Sequence, residues 1–158
     1  MKDLRIAFML AALMLSAASF ASGQAPPMSA ERRQAILDYP LTLPRANSLI
    51  TAIGAMTRYV VSLPDYKERM RKAATMTPAE NLARVENDPK AMAILKQNGL
   101  TAREYLIGVP TLNMAMLAAA GLNTPNIVAS PANVAFCKAN MAELKPKLDA
   151  VNGLTTAK

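Results

Sequence analysis

The stretch TAREYLIGVPTLNMAMLAAAG, residues 101–121, decides the fold of this chain. After Glu104 no charged residue appears until Lys138. Within the stretch, apolar residues recur at spacings of three and four, which places them on one face of a helix, and a second apolar face lies beside the first. A helix that is apolar nearly all round is one that other helices surround. We therefore predict a buried helix near residues 101–120.

Both ends of this helix carry sequence signals. Thr101 and Glu104 have the spacing of a capping box, in which each side chain accepts a hydrogen bond from the other residue's backbone N–H. Gly121 suits the left-handed position that follows many helix ends. Pro110 lies inside the helix, where it removes one backbone donor and favours a kink. The kink is consistent with a curved core helix, and the alternative is that it forms a small cavity beside the helix.

The rest of the chain has helical patterns as well, and none of its strand-like alternations exceeds a few residues. Residues 77–80 form a second capping box, Asp88 precedes a proline at a helix start, and long helical stripes run over 44–62 and 131–151. Pro146 is expected to kink the last helix or to separate its final turn. We predict an all-α fold, a small irregular helical bundle of about six helices, with one domain over 29–152, a flexible leader over 22–28 and a disordered tail over 153–158.

The amino terminus has the pattern of a secretory signal peptide over residues 1–21. Lys2 and Arg5 precede an apolar run from Ile6 to Leu15, and small residues lead to a predicted cleavage after Ala21. We therefore expect a periplasmic or secreted protein, with an uncleaved anchor as the alternative. The charge-free residues that follow Glu104 in this stretch approach the minimum length of a membrane span, but Pro110, Thr111, Asn113 and two glycines dilute their hydrophobicity. We expect no span in the mature chain.

The composition excludes several kinds of chemistry. The chain contains no histidine, so neither a Ser-His-Asp nor a Cys-His catalytic arrangement, nor a histidine zinc site, can form. Cys137 is the only cysteine, so no internal disulfide is possible, and its place in an apolar stripe indicates a buried thiol. Glu80 and Glu104 are accounted for by their capping boxes. We predict no enzyme, no catalytic residue, no metal and no cofactor.

A basic patch is the main charged feature of the mature chain. Its members are Lys67, Arg69, Arg71 and Lys72. Once Lys2, Arg5 and Asp3 are removed with the signal peptide, the net charge of +7 becomes +6. The patch is typical of a solvated helix face, and its alternative role is weak contact with an anionic surface or an acidic partner. Nucleic acid is not expected as a partner, because aromatic content is only 4% and no stacking motif occurs.

Three functional hypotheses follow. The first is an exported, non-catalytic protein that binds an envelope or extracellular protein partner. The second is a carrier of an apolar small molecule, in a cavity between helices lined by Tyr105, Leu106, Asn113 and Met116. The third is an enzyme that works with serine, lysine or carboxylate groups. A dry cavity beside Asn113 would favour the carrier, and an exposed apolar surface would favour the partner-binding protein.

Overall fold

The computed structural model describes residues 28–122 and 124–156, and its fold is all-α. The predicted signal peptide, residues 1–21, lies outside the described residues. Within them no strand occurs. The helices are α1 (Ala30–Asp38), α2 (Leu43–Ser62), α3 (Tyr66–Thr75), α4 (Pro78–Glu86), α5 (Pro89–Gln97), α6 (Ala102–Ala119), α7 (Pro131–Ala139) and α8 (Met141–Thr156).

The buried helix predicted near 101–120 is confirmed as α6. The Thr101 hydroxyl accepts a hydrogen bond from the Glu104 amide at 3.1 Å, and the Glu104 carboxylate accepts one from the Thr101 amide at 3.0 Å. Gly121, just past the helix, has a φ of +88°, which favours glycine. The buried residues of α6 are Ala102, Tyr105, Gly108, Val109, Pro110, Thr111, Leu112, Met114 and Ala115.

Five of the other described helices pack against α6, and the main core lies among these helices and α8. Helices α1, α2, α4, α5 and α7 all contact α6, and α8 packs along α2. Leu49 of α2, Leu95 of α5 and Leu144 of α8 are completely buried in this core. A smaller cluster of Ile36, Met114 and Val128 joins α1, α6 and the connector before α7. The amphipathic helices bury their apolar faces against one another, which is the main source of their stability.

Helix α6 continues through Pro110 without a break. Proline lacks an N–H, so the Leu106 carbonyl loses the donor that a regular helix would supply. One residue further along, the buried Thr111 hydroxyl donates to the Ile107 carbonyl at 2.8 Å. Gly108 lies in the same segment and allows Leu49 to approach the α6 backbone closely. The segment in which the sequence predicts a kink is therefore one where α2 packs closely against α6.

Three details differ from the sequence-based expectation. The described part of the chain has eight helices instead of about six. Helix α3 carries the basic patch that the sequence assigned to a solvated helix face, and the last helical stripe forms two helices because it divides at Asn140, not at Pro146. Helix α8 also extends to Thr156, past the predicted domain end at residue 152. Met28, which we assigned to the leader, packs against the smaller cluster.

Asn140 divides the last stripe because its polar groups end one helix and begin the next. Its side-chain amide donates to the Phe136 carbonyl at 2.8 Å, and its own carbonyl accepts from the amides of Glu143 and Leu144. Such local side-chain bonds compete with continuation of a helix. Pro146 is exposed within α8, where water can reach the carbonyl that proline leaves without a donor. Over the residues described, no helix combines the length and the apolar character that crossing a membrane requires.

Candidate functional site

The four residues predicted to line a ligand cavity share one side of α6. Their spacing places them within about 100° of one another around the helix axis. Tyr105 is only 1% exposed and belongs to the main core, and its burial raises the pKa of its phenol. Leu106 and Met116 are partly buried and pack against the same core. Asn113 is partly buried, and its side chain makes no hydrogen bond within the described residues.

Two open grooves lie on the surface of the described part of the chain. The first has a volume of about 500 Å³ and lies between the end of α6 and α7. The second has a volume of about 580 Å³ and lies between α5 and the start of α6. Neither groove is lined by Tyr105, Leu106, Asn113 or Met116. The two grooves therefore lend no support to a carrier site at those four residues.

The basic patch lies on α3, and all four of its cations are exposed. Carboxylates of the same segment pair with three of them: Asp65 with Arg69 at 2.8 Å, and Glu68 with Arg71 at 2.6 Å and Lys72 at 3.7 Å. Lys67 has no carboxylate partner within the described residues and lies 5.9 Å from the centre of the Tyr66 ring. The hydrogen bond from Arg69 lowers the pKa of Asp65. These exposed pairs stabilise α3 only weakly.

Helix α3 differs from the other described helices because it contributes no buried residue. Its apolar side is half-buried, and its principal contact in the bundle is with α2. A helix of this length is marginal in water without tertiary packing. The apolar side consists of Tyr66, Met70, Ala73 and Ala74.

Next to α3 the structure brings together residues that the sequence analysis did not connect. The Tyr59 hydroxyl, near the end of α2, donates to the Asp88 carboxylate at 2.8 Å, and this bond raises the pKa of Tyr59. The Lys90 ammonium lies 5.3 Å from the centre of the Tyr59 ring. Arg84 of α4 is half-buried and interacts with the charges of Asp88 and Arg69. We call Arg69, Arg84 and Lys90, with Tyr59 and Asp88, the Arg84 corner.

No local signal in the sequence could have identified the Arg84 corner. Arg84 and Lys90 are isolated charges in two short helices, and Asp88 looks only like a helix cap. Their proximity to the basic patch depends on how α5 packs against α2 and how α4 packs against α5 and α6. A tertiary contact, the bond from Tyr59 to Asp88, was therefore needed to connect them.

The lowered carboxyl pKa values in the structure have structural causes. Backbone hydrogen bonds from Thr77 and Thr101 are the largest causes that lower the pKa of Glu80 and of Glu104. The hydrogen bond from Lys147 does the same for Glu143. Within the described residues, no three histidine, cysteine or acidic side chains are grouped so that they could hold a metal ion. Each of these carboxylates already serves a cap or an ion pair.

Cys137 is completely buried in the main core, as its place in an apolar stripe indicates. Burial raises the pKa of its thiol to about 11, so the thiol stays protonated at neutral pH. A protonated and inaccessible thiol is a poor nucleophile. Cys137 therefore contributes to packing.

The chain was also compared with known proteins. No model of a protein family, no curated protein and no solved structure matches it.

Proposed function

We propose that this chain is an exported, non-catalytic helical protein that acts by binding a protein partner in the cell envelope or outside the cell. The observation that supports this proposal is the surface of α3, the only described helix without a buried residue. Its half-buried apolar side can gain further burial from a partner, and its exposed cations can select for that partner's charge.

The energetics of α3 favour a role in binding over a role in the core. Its ion pairs are exposed, so each contributes a few tenths of a kcal/mol at most. Detaching α3 from the bundle would cost little stability, because none of its side chains belongs to the main core. A peripheral helix whose exposed side is charged can meet a partner through that side without disturbing the core.

Site-specific photo-crosslinking tests the proposal. A photoreactive residue replaces Arg71, whose side chain is 77% exposed on α3, or Lys145, which is 62% exposed on α8. The host cell should yield a defined cross-linked protein from position 71, and that product should disappear in a Lys67→Glu/Lys72→Glu variant. Identical products from positions 71 and 145, or none from either, would contradict partner binding through α3.

Export is tested on the same cells. If residues 1–21 are a signal peptide, the protein recovered from the periplasm or the medium begins near Ser22, which mass spectrometry of its first peptide measures. A protein that retains Lys2 and Arg5 in the cytoplasm would contradict export.

A further inference from the structure

Arg84 is a half-buried cation without a carboxylate partner. Its Nε and Nη2 atoms donate to the Asn81 side-chain oxygen at 3.2 and 2.7 Å. Among the residues that the structure describes, no carboxylate lies within ion-pairing distance of it. An arginine keeps its charge at every physiological pH. The loss of solvation is the largest influence on this group and lowers its pKa.

The one acid beside Arg84, Asp88, already accepts three hydrogen bonds. One Asp88 oxygen accepts hydrogen bonds from the amides of Lys90 and Ala91, both at 3.0 Å, as the cap of α5. The other oxygen accepts the Tyr59 hydroxyl. Asp88 therefore cannot also form a bidentate pair with the guanidinium of Arg84.

Two further cations extend the same surface. The Lys90 ammonium rests over the Tyr59 ring and has no carboxylate partner within the described chain. Arg69 belongs to the basic patch, and its charge acts on Asp88 and on Arg84. The Arg84 corner thus contains three cations and the Asp88 carboxylate, and it continues into the basic patch on α3. Of the three cations, Arg69 is already paired with Asp65, whereas Arg84 and Lys90 have no carboxylate partner within the described chain.

We propose that the Arg84 corner binds a carboxylate in an acidic segment of the protein partner. The Arg84 guanidinium, oriented by Asn81, presents its remaining N–H groups to the carboxylate, and Lys90 and Arg69 add attraction at the edge. Arginine is suited to this role because its planar fork matches a carboxylate with two parallel hydrogen bonds. This inference rests on the proposed function and specifies the chemistry of the partner.

An acidic polypeptide fits this surface better than an anionic membrane does. A helix that lies on a membrane exposes a large apolar face to the lipid. In α3 the exposed side is charged, and the apolar residues are the half-buried ones. Asp65 and Glu68 also lie among the cations of α3, and a uniformly anionic surface would repel them. A polypeptide can place its own basic residues opposite them.

A short glutamate-rich peptide, with a glutamine-rich peptide of equal length as its control, is the probe for this site. Fluorescence anisotropy measures binding in about 0.15 M salt, where charges more than about 8 Å apart are largely screened. We expect the glutamate peptide to bind the mature protein and the glutamine peptide not to bind. Arg84→Gln should weaken binding about tenfold, because a charge-assisted bidentate contact is lost.

Matched variants distinguish binding at the Arg84 corner from nonspecific attraction between the peptide and the net positive charge of the protein. Arg33→Gln removes the same charge from exposed α1, where Arg33 has no carboxylate partner within the described residues, and should weaken binding less than about twofold. Arg84→Lys keeps the positive charge but removes the planar guanidinium that can form two parallel hydrogen bonds, and it should weaken binding about fivefold. Circular dichroism checks that each variant is folded. Where Arg84→Gln fails to fold, Lys90→Gln and Lys138→Gln form the matched pair, and only Lys90→Gln should weaken binding.

Two results would overturn the proposal. The first is a failure of the peptide assay, in which the glutamate peptide does not bind or Arg84→Gln and Arg33→Gln weaken its binding equally. The second is Arg84-dependent binding of phosphatidylglycerol vesicles without binding of the peptide, which would assign the surface to lipid. Failure here is distinct from failure of the proposed function. A partner that cross-links from position 71 while the peptide does not bind would leave partner binding intact and remove only its acidic chemistry.

Discussion

Gly108 shows how strongly a single residue of α6 depends on its neighbours. A Cβ atom at this position would lie 2.8 Å from the Tyr39 hydroxyl oxygen and 2.9 Å from both terminal carbons of Leu49. Contacts this short force the neighbours to move. The Tyr39 hydroxyl is itself buried and has no hydrogen-bond partner among the described residues. Helix α6 is thus in close contact with α2, through Leu49, and with the connector between α1 and α2, through Tyr39.

We expect Gly108→Ala to destabilise the protein by about 1–2 kcal/mol, because overpacking outweighs the gain of about 1 kcal/mol in helix propensity. Gly153→Ala in α8 is the control, since no atom lies within 4 Å of its new Cβ. It should leave stability unchanged or raise it. Urea unfolding measures both, and equal effects of the two substitutions would refute the close approach at Gly108.

Asn133 is a buried polar residue that joins distant parts of the chain. It is 3% exposed, its side-chain oxygen accepts from the Leu41 amide at 3.0 Å, and its side-chain nitrogen donates to the Tyr39 carbonyl at 2.8 Å. These two bonds hold the connector between α1 and α2 against α7. The sequence gives no sign of this role, since Asn133 occupies an ordinary helical position.

Asn133→Ala should cost about 2 kcal/mol of unfolding free energy, because it leaves a buried donor and a buried acceptor without partners. Asn113→Ala makes the same change at a partly buried position without a hydrogen bond in the described structure, and should cost less than about 0.5 kcal/mol. Thermal and urea unfolding compare the two variants. If Asn113→Ala proves the more harmful, the assigned role of Asn133 is wrong.

At the level of helices, the two capping boxes make stability depend on pH. The pKa of Glu80 and the pKa of Glu104 both lie below the ordinary value of 4.5 in the folded protein. Between that lowered pKa and 4.5, the unfolded chain binds more protons than the folded one, so protonation favours unfolding. The stability that these carboxylates provide is complete above the ordinary value and is lost as the pH falls through the lowered one.

We therefore expect a Glu80→Gln/Glu104→Gln variant to lose less stability than the parent between about pH 5 and pH 3. Glutamine can still accept the capping hydrogen bond, so the helices should form. Glu31→Gln/Glu86→Gln removes the same charge from exposed residues without hydrogen bonds or ion pairs in the described structure. Urea unfolding at a series of pH values measures how steeply the free energy of unfolding of each variant falls as the pH is lowered. The capping explanation fails if the control variant flattens the slope as much.

For the molecule as a whole, the main core predicts cooperative unfolding, with α3 as an exception. Residues of α2 and of α4 to α8 meet in one buried cluster, whereas α3 adds no buried side chain. Elements with few buried contacts open locally at low free energy. Amide hydrogen exchange in α3 should therefore be about tenfold faster or more than in α5, which is similar in length but buries Ala91 and Leu95. Hydrogen-exchange mass spectrometry makes this comparison, and equal protection would show that α3 belongs to the core.

The sequence by itself determined the all-α class, the buried helix α6 and several helix ends. These depend on local chemistry, because a threonine, a glutamate three residues later and a glycine act on the backbone next to them. The capping boxes at Thr77 and Thr101 and the left-handed Gly121 follow from residues close in the chain. The spacing of the apolar residues in α6 likewise indicates that the helix is buried, whichever helices surround it.

Only the tertiary structure decided which surfaces these helices present. It placed Arg84 and Lys90 beside the basic patch, engaged Asn133 with the α1–α2 connector, and left α3 without a buried residue. It also located the two grooves away from Tyr105, Leu106, Asn113 and Met116. Each of these features depends on the packing of helices far apart in the chain. The spacing of residues along a sequence carries no information on that packing, because many arrangements bury the same apolar stripes.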